Sequence, residues 1–351
     1  MINWIISVFQ VILAVVLTHF IIKKKLLHFN SLNIHNGPQK IHDQQISRLG
    51  GLVIFLTSSL GLLILETEIH DQFKILLICA IPITMVGFID DIYGNISAEL
   101  KLIISILTGL LFSLISGDLI NSVGISYFDK LLSNTIFQIL ITSLSISLLI
   151  QAFNVIDGLN GLTIGNFLIS SFSVIYITVD LNIDNFQNLI LPVLLPTLII
   201  FIYNFPSGKI FLGDGGAYFL GAFLGFILIK FSQSNDSISP FVVLLIIIHP
   251  IYEILRTFLR RLFVNNVSAF LADSHHLHTL IFKFEHKKNA RSLNVTNSIA
   301  SIKLLTLNLT FCIWTCYNFR NESIILLGLF IFIVLYEYLY FYYKIKLEKL
   351  S

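Results

Sequence analysis

Apolar runs of about 18 residues or more follow one another along the whole of this chain, and each is long enough to cross a bilayer as a helix. That pattern leaves little room for anything but an all-α, polytopic membrane bundle. Only 12% of the 351 residues are charged and 56% are hydrophobic, whereas a soluble domain carries about 25% charged residues. Eleven spans are predicted, at roughly 2–22, 49–66, 73–89, 100–117, 134–153, 161–180, 187–203, 217–231, 239–257, 296–317 and 323–343. The chain reads as one integral membrane domain over residues 1–351, with no repeat and no linker.

The basic residues orient the spans. No positive charge precedes the first apolar run and Lys23-Lys24-Lys25 follows it, so an uncleaved first helix with its C-terminal end in the cytoplasm is expected. With alternating spans, every Lys and Arg except Lys74, Lys130, Lys230 and Arg320 then falls on the inner side. Cys79, Cys312 and Cys316 lie in apolar segments without a C-x-x-C pair and read as small core residues.

Under this topology the outer loops are short and plain, and the inner loops carry the chemistry. Asp90 and Asp91 end the third span, where ionisable groups are costly and usually functional. Lys101 follows about ten residues later, and carboxylates for a cation with a lysine for phosphate charge suit a metal-bound phosphate. The first inner loop holds Lys40, His42 and Arg48 ahead of Gly50-Gly51, a set that can meet an anion or simply start a helix. In the third, Asn154, Asp157 and Asn160 recur every three residues, so one helical turn can present all three on one side. In the fourth, Asp214 lies between glycines just before a span. It can hold a metal while backbone N–H groups of the helix start meet phosphate, or it can serve as a helix cap. Asn204 opens that loop, and Phe211 can stack on a base or merely pack. The fifth loop carries Arg256, Arg260 and Arg261 at helical spacing, then His276 and His278. Those histidines suit phosphate better than zinc, because no Cys or further His completes a tetrahedral set.

These residues, taken in order, resemble the polyprenyl-phosphate N-acetylhexosamine-1-phosphate transferases. The resemblance covers nearly the whole chain and rests on five ordered motifs: Lys40-x-His42 with Arg48-Leu49-Gly50-Gly51, Asp90-Asp91, Asn154-x-x-Asp157-Gly158, Phe211-x-Gly213-Asp214, and His276-x-His278. It implies transfer of a sugar phosphate from a UDP-sugar to undecaprenyl phosphate with release of UMP. It also implies magnesium, or manganese in its place, at Asp214, and catalytic roles for Asp90 and Asp91. Lys101, His276 and His278 would contact phosphates, and Asn154, Asp157, Asn204 and Phe211 would line the nucleotide pocket. Lys40, His42, Arg48 and Asn160 complete the expected binding set. The implied setting is the bacterial inner membrane with the site in the cytoplasm. The lipid bilayer is a partner, nucleic acid is not, and a homodimer is left open. The implied product starts a surface glycan such as O-antigen, lipopolysaccharide or another cell-wall polymer.

The chain departs from the pattern at three places. Thr279 stands where the GlcNAc transferases end His-x-His-His, Asn160 where many members have an aspartate, and Ser47 where a proline is common. These leave the reaction class intact and the sugar unspecified. The phospho-MurNAc-pentapeptide translocase is the nearest alternative. A secondary transporter is the alternative from another class, but it would place its acids near the midplane of paired repeats.

Overall fold

The computed structural model describes residues 2–26, 46–63, 65–262, 275–289 and 292–349. Lys40 and His42 lie outside them. In order the helices are α1 (Ile2–Lys24), α2 (Gly50–Ser59, prolonged by a 3₁₀ turn to Leu63), α3 (Thr67–Tyr93), α4 (Ala98–Ser116) and α5 (Ser126–Leu131). There follow α6 (Thr135–Ile156), α7 (Leu162–Asp180), α8 (Phe186–Asn204), α9 (Gly213–Gln233) and α10 (Pro240–Ile246). The last are α11 (Ile248–Arg260), α12 (Leu277–Asn289), α13 (Leu293–Asn318) and α14 (Glu322–Glu348). Among the described residues nine helices are long and apolar enough to cross a membrane, or ten if the bent pair α10–α11 counts as one span.

Two of the eleven predicted spans therefore take another form. The segment expected at 49–66 forms α2 and its 3₁₀ turn, which together extend roughly 23 Å, short of the ~30 Å hydrocarbon core. The segment expected at 239–257 breaks at Ile247, where α10 and α11 meet at 84°. Pro250 explains the break, since it has no N–H to give the carbonyl four residues back, that of Ile246. The freed carbonyl accepts from Ser170 Oγ at 3.1 Å and faces Cys312 Sγ at 3.5 Å. Neighbouring helices thus satisfy at depth what water cannot.

The bundle is built around α9, whose residues are almost all buried. Its glycines let other helices come close. A Cβ on Gly51 of α2 would fall 2.2 Å from the Gly216 Cα, and one on Gly87 of α3 would fall 2.5 Å from the Gly215 Cα. No side chain fits at either crossing. Gly51→Ala should push α2 off α9 and lower the apparent thermal midpoint in detergent by several degrees, in line with about 1–3 kcal/mol for overpacking. An unchanged midpoint would show that the two helices separate freely.

The crossings also fix sidedness within the bundle. Four long helices, α4, α6, α7 and α8, lie between the C-terminal end of α3 and the N-terminal end of α9, so the chain returns to the face it left. Asp91 at the end of α3 does touch the start of α9.

Candidate active site at one end of the bundle

Four connections meet at that face: α3–α4, α6–α7, α8–α9, and the segment entering α2. The α2 entry lies along the α8–α9 loop. Phe211 N donates to Ser47 O at 2.8 Å, Gly50 N to Phe211 O at 2.9 Å and Gly51 N to Leu212 O at 2.8 Å. Arg48 is held there, with its guanidinium 3.8 Å from Asp91 Oδ1.

The three acids are divided by their partners. Asp91 is buried, and its carboxylate accepts from Asp214 N and Gly215 N, both at 3.0 Å. It caps α9, where unpaired N–H groups and the helix dipole both favour a negative charge. Gly213 makes room for it: φ is +78° there, and a Cβ would fall 2.5 Å from Asp91 Oδ2. The sequence reading offered those N–H groups to phosphate, and the structure gives two of them to Asp91 instead. Asp90 accepts from Ile96 N at 2.9 Å and from Lys101 Nζ. The same ammonium reaches Asp214 Oδ2 at 3.1 Å. Asp90 and Asp214 thus converge on one positive charge, and the Asp214 side chain is 25% exposed against 4% for Asp91. Hard oxygen donors around a cation suit magnesium or manganese, and Asp214 with Asp90 is the pair able to hold one.

The α6–α7 loop does not present Asn154, Asp157 and Asn160 on one helical turn. The helix ends at Ile156, and Gly161 turns the chain at φ +75°. Asn154 Nδ2 donates to Tyr218 Oη of α9 at 3.2 Å. Asn160 is buried, its N–H donating to Asn297 Oδ1 of α13 at 2.7 Å. Asn204 bridges two loops, accepting from Gly161 N at 2.5 Å and donating to Ile210 O at 2.7 Å. Asn154 thus ties the end of α6 to α9, Asn160 ties its loop to α13, and Asn204 holds the two loops together through their backbones.

Burial raises the Asp157 carboxyl from 3.8 to about 7, aided by the Asp214 charge and opposed by the Arg48 charge. The folded state therefore holds this proton where the unfolded chain has lost it, and stability falls as pH rises between about 4 and 7. Asp157→Asn should remove that slope. Its gain in thermal midpoint over the parent should grow across this window and stay level above it, whereas a gain independent of pH would remove burial as the cause.

His276 and His278 sit at the start of α12 with rings stacked 5.1 Å apart and nearly parallel. His278 lies against the α6–α7 loop, since a Cβ on Gly158 would fall 2.8 Å from its Nε2. Sequence reading missed their partner, Glu253 of α11, whose signal was an acid inside a predicted span. Arg256 is engaged elsewhere, on Glu337 at 2.7 and 3.1 Å and over the Tyr340 ring.

The chain also matches known proteins. Residues 73–232 match the description glycosyl transferase family 4. An undecaprenyl-phosphate alpha-N-acetylglucosaminyl 1-phosphate transferase of Thermotoga maritima is 30% identical over 240 residues, covering 68% of this chain and 69% of that protein. The chain belongs to glycosyl transferase family 4. Within the family, a probable undecaprenyl-phosphate N-acetylglucosaminyl 1-phosphate transferase of Bacillus subtilis is 25% identical over 311 residues, 88% of this chain and 86% of the relative. A phospho-N-acetylmuramoyl-pentapeptide-transferase of Petrotoga mobilis is 29% identical over 210 residues, 57% of this chain and 64% of the relative. The family match runs from α3 to α9 and so contains Asp90, Asp91, Lys101, Asp157 and Asp214.

Proposed function

We propose that this protein moves a HexNAc-1-phosphate of the GlcNAc type from a UDP-sugar to undecaprenyl phosphate, releasing UMP, with the site on the cytoplasmic face of a bacterial inner membrane. The observation that carries this reading is the junction of Asp90, Lys101 and Asp214, with Asp91 seated on the start of α9. Carboxylates able to hold a divalent cation, beside Lys101 and Arg48 at one end of an apolar bundle, suit two anionic substrates through that cation, one of them delivered by the membrane.

The lipid phosphate oxygen attacks the sugar-bearing phosphorus, and the bond from that phosphorus to the UMP oxygen breaks. A phosphate monoester has a second pKa of about 6, so the attacking group is already dianionic at neutral pH and gains little from a base. The barrier is the approach of one anion to another. Lys101 supplies a fixed positive charge at the junction, and Arg48 a second beside it. Magnesium at Asp214, with Asp90 beside it, would neutralise pyrophosphate charge when bound. A covalent aspartyl route is disfavoured by the partners of the acids. Both oxygens of Asp91 face backbone N–H groups, and both oxygens of Asp90 accept hydrogen bonds.

Purified protein offered a panel of UDP-sugars, undecaprenyl phosphate and magnesium or manganese tests the reading. UDP-GlcNAc should release UMP only when lipid and cation are both present. Turnover confined to UDP-MurNAc-pentapeptide would favour the translocase, which the similarity to the Petrotoga mobilis protein keeps in view. Release of no UMP from any sugar nucleotide would overturn the proposal.

A further inference from the structure

We propose that Glu253 is a positioning residue that sets the tautomer of His276 and, through it, the placement of both histidines against the α6–α7 loop. Glu253 is 1% exposed and lies on α11, just past the break. Its Oε1 accepts from Leu277 N, the first residue of α12, at 2.9 Å, and the same oxygen faces His276 Nδ1 at 3.2 Å. Its Oε2 accepts from the Tyr336 phenol of α14 at 2.5 Å. A buried carboxylate is costly unless its lone pairs are met, and here a backbone N–H, a phenol and an imidazole surround it.

An ionised carboxylate only accepts hydrogen bonds. The ring nitrogen beside it must therefore carry the proton, which places the His276 proton on Nδ1 and leaves Nε2 for other partners. Thr257 Oγ1 also lies 3.2 Å from Nδ1, and a hydroxyl can donate or accept. The carboxylate alone is selective. The effect reaches further because His278 stacks on His276 and presses its Nε2 side on Gly158. One chain of contact thus runs from α14 through Glu253 to the loop that carries Asp157. A cation held jointly by Glu253, His276 and His278, whose ligand atoms all lie within 4.8 Å of one another, fits less well. The Glu253 oxygens already serve three donors, and the parallel rings do not converge on a point.

The kinetic part of the test rests on the transferase reading, and the spectroscopic part does not. Nitrogen-15 histidine labelling, with His276 assigned by its loss in His276→Ala, should show Nδ1–H in the parent protein. In Glu253→Gln the amide can donate to Nδ1, and the proton should move to Nε2. Turnover of UDP-GlcNAc should then fall on the order of 10²-fold in kcat with little change in KM, a smaller loss than the ~10⁴-fold known for a wrong histidine tautomer in serine proteases. Glu253→Asp should restore part of the rate and keep Nδ1–H, which covers the case in which the glutamine variant fails to fold. Adding Glu253→Gln to His276→Ala should cost nothing further. An Nε2–H signal in the parent, or a tautomer unmoved in Glu253→Gln, would overturn the inference even if no sugar nucleotide were turned over. Full additivity of the two substitutions would reduce Glu253 to a structural cap.

Discussion

Asp214→Asn should reduce turnover by about 10³-fold or more while moving the thermal midpoint by no more than about 2 °C. The two halves of that expectation have different causes. Asp214 is the most exposed of the three acids, and its side chain meets Lys101, which keeps Asp90 when Asp214 loses its charge. A partly exposed ion pair of this kind contributes about 0–1 kcal/mol. The bond that ties this residue into the fold is its backbone N–H to Asp91, which the substitution leaves alone. Binding of a divalent cation by oxygen donors depends instead on the carboxylate, because a neutral amide oxygen attracts the ion far less. Rates measured across a magnesium titration, with the midpoint of the same preparation, separate the two. A midpoint lowered as much as the activity would make Asp214 a structural cap. Full activity would remove it from the cation site.

Much of this arrangement was legible from composition and order, because lipid imposes few alternatives. A run of apolar residues long enough to span must be helical, and nine of the eleven predicted spans are helices of that length. The two that differ did so for reasons that hydropathy does not encode. In α2 the apolar residues continue past the point where the helix tightens and stops. In α10–α11 the apolar run is continuous and a single proline breaks it. The acids were legible for the same reason as the spans: Asp90, Asp91 and Asp214 interrupt apolar sequence, where charge is expensive.

What the sequence could not show was how the acids share their partners. That depends on glycine crossings such as Gly87 on Gly215, which bring the end of α3 against the start of α9. Spacing suggested that Asn154, Asp157 and Asn160 share a helical face. The helix ends first, because the two glycines that follow favour a turn, and Asn160 gives its N–H to α13 and its side-chain amide to Pro206 O rather than sharing a face with Asn154. Glu253 was hidden by the reading of 239–257 as one unbroken span. The acid inside that span is the one signal the sequence holds for it, and its partners come from α12 and α14, which local pattern cannot place together.

Asp91→Asn should lower both activity and stability, unlike its neighbour. Turnover should fall on the order of 10²-fold or more, and the thermal midpoint should drop by several degrees. The carboxylate is buried and takes one backbone N–H on each oxygen. An amide has a single oxygen, so one of those N–H groups would face an NH2 and lose its acceptor. Leaving a buried donor unsatisfied costs about 1–3 kcal/mol. The same loss frees the first turn of α9, and Asp214 in that turn drifts from Lys101, so activity falls through geometry. Asp90→Asn differs, because its amide oxygen can still accept from Ile96 N. What it loses is the negative charge beside Lys101, and its rate should fall on the order of 10²-fold with a small change in midpoint. Activity and thermal midpoint measured on both variants test the division of labour. If Asp91→Asn abolished turnover with an unaltered midpoint, its carboxylate would act on the reactants directly, and the cap at α9 would be dispensable.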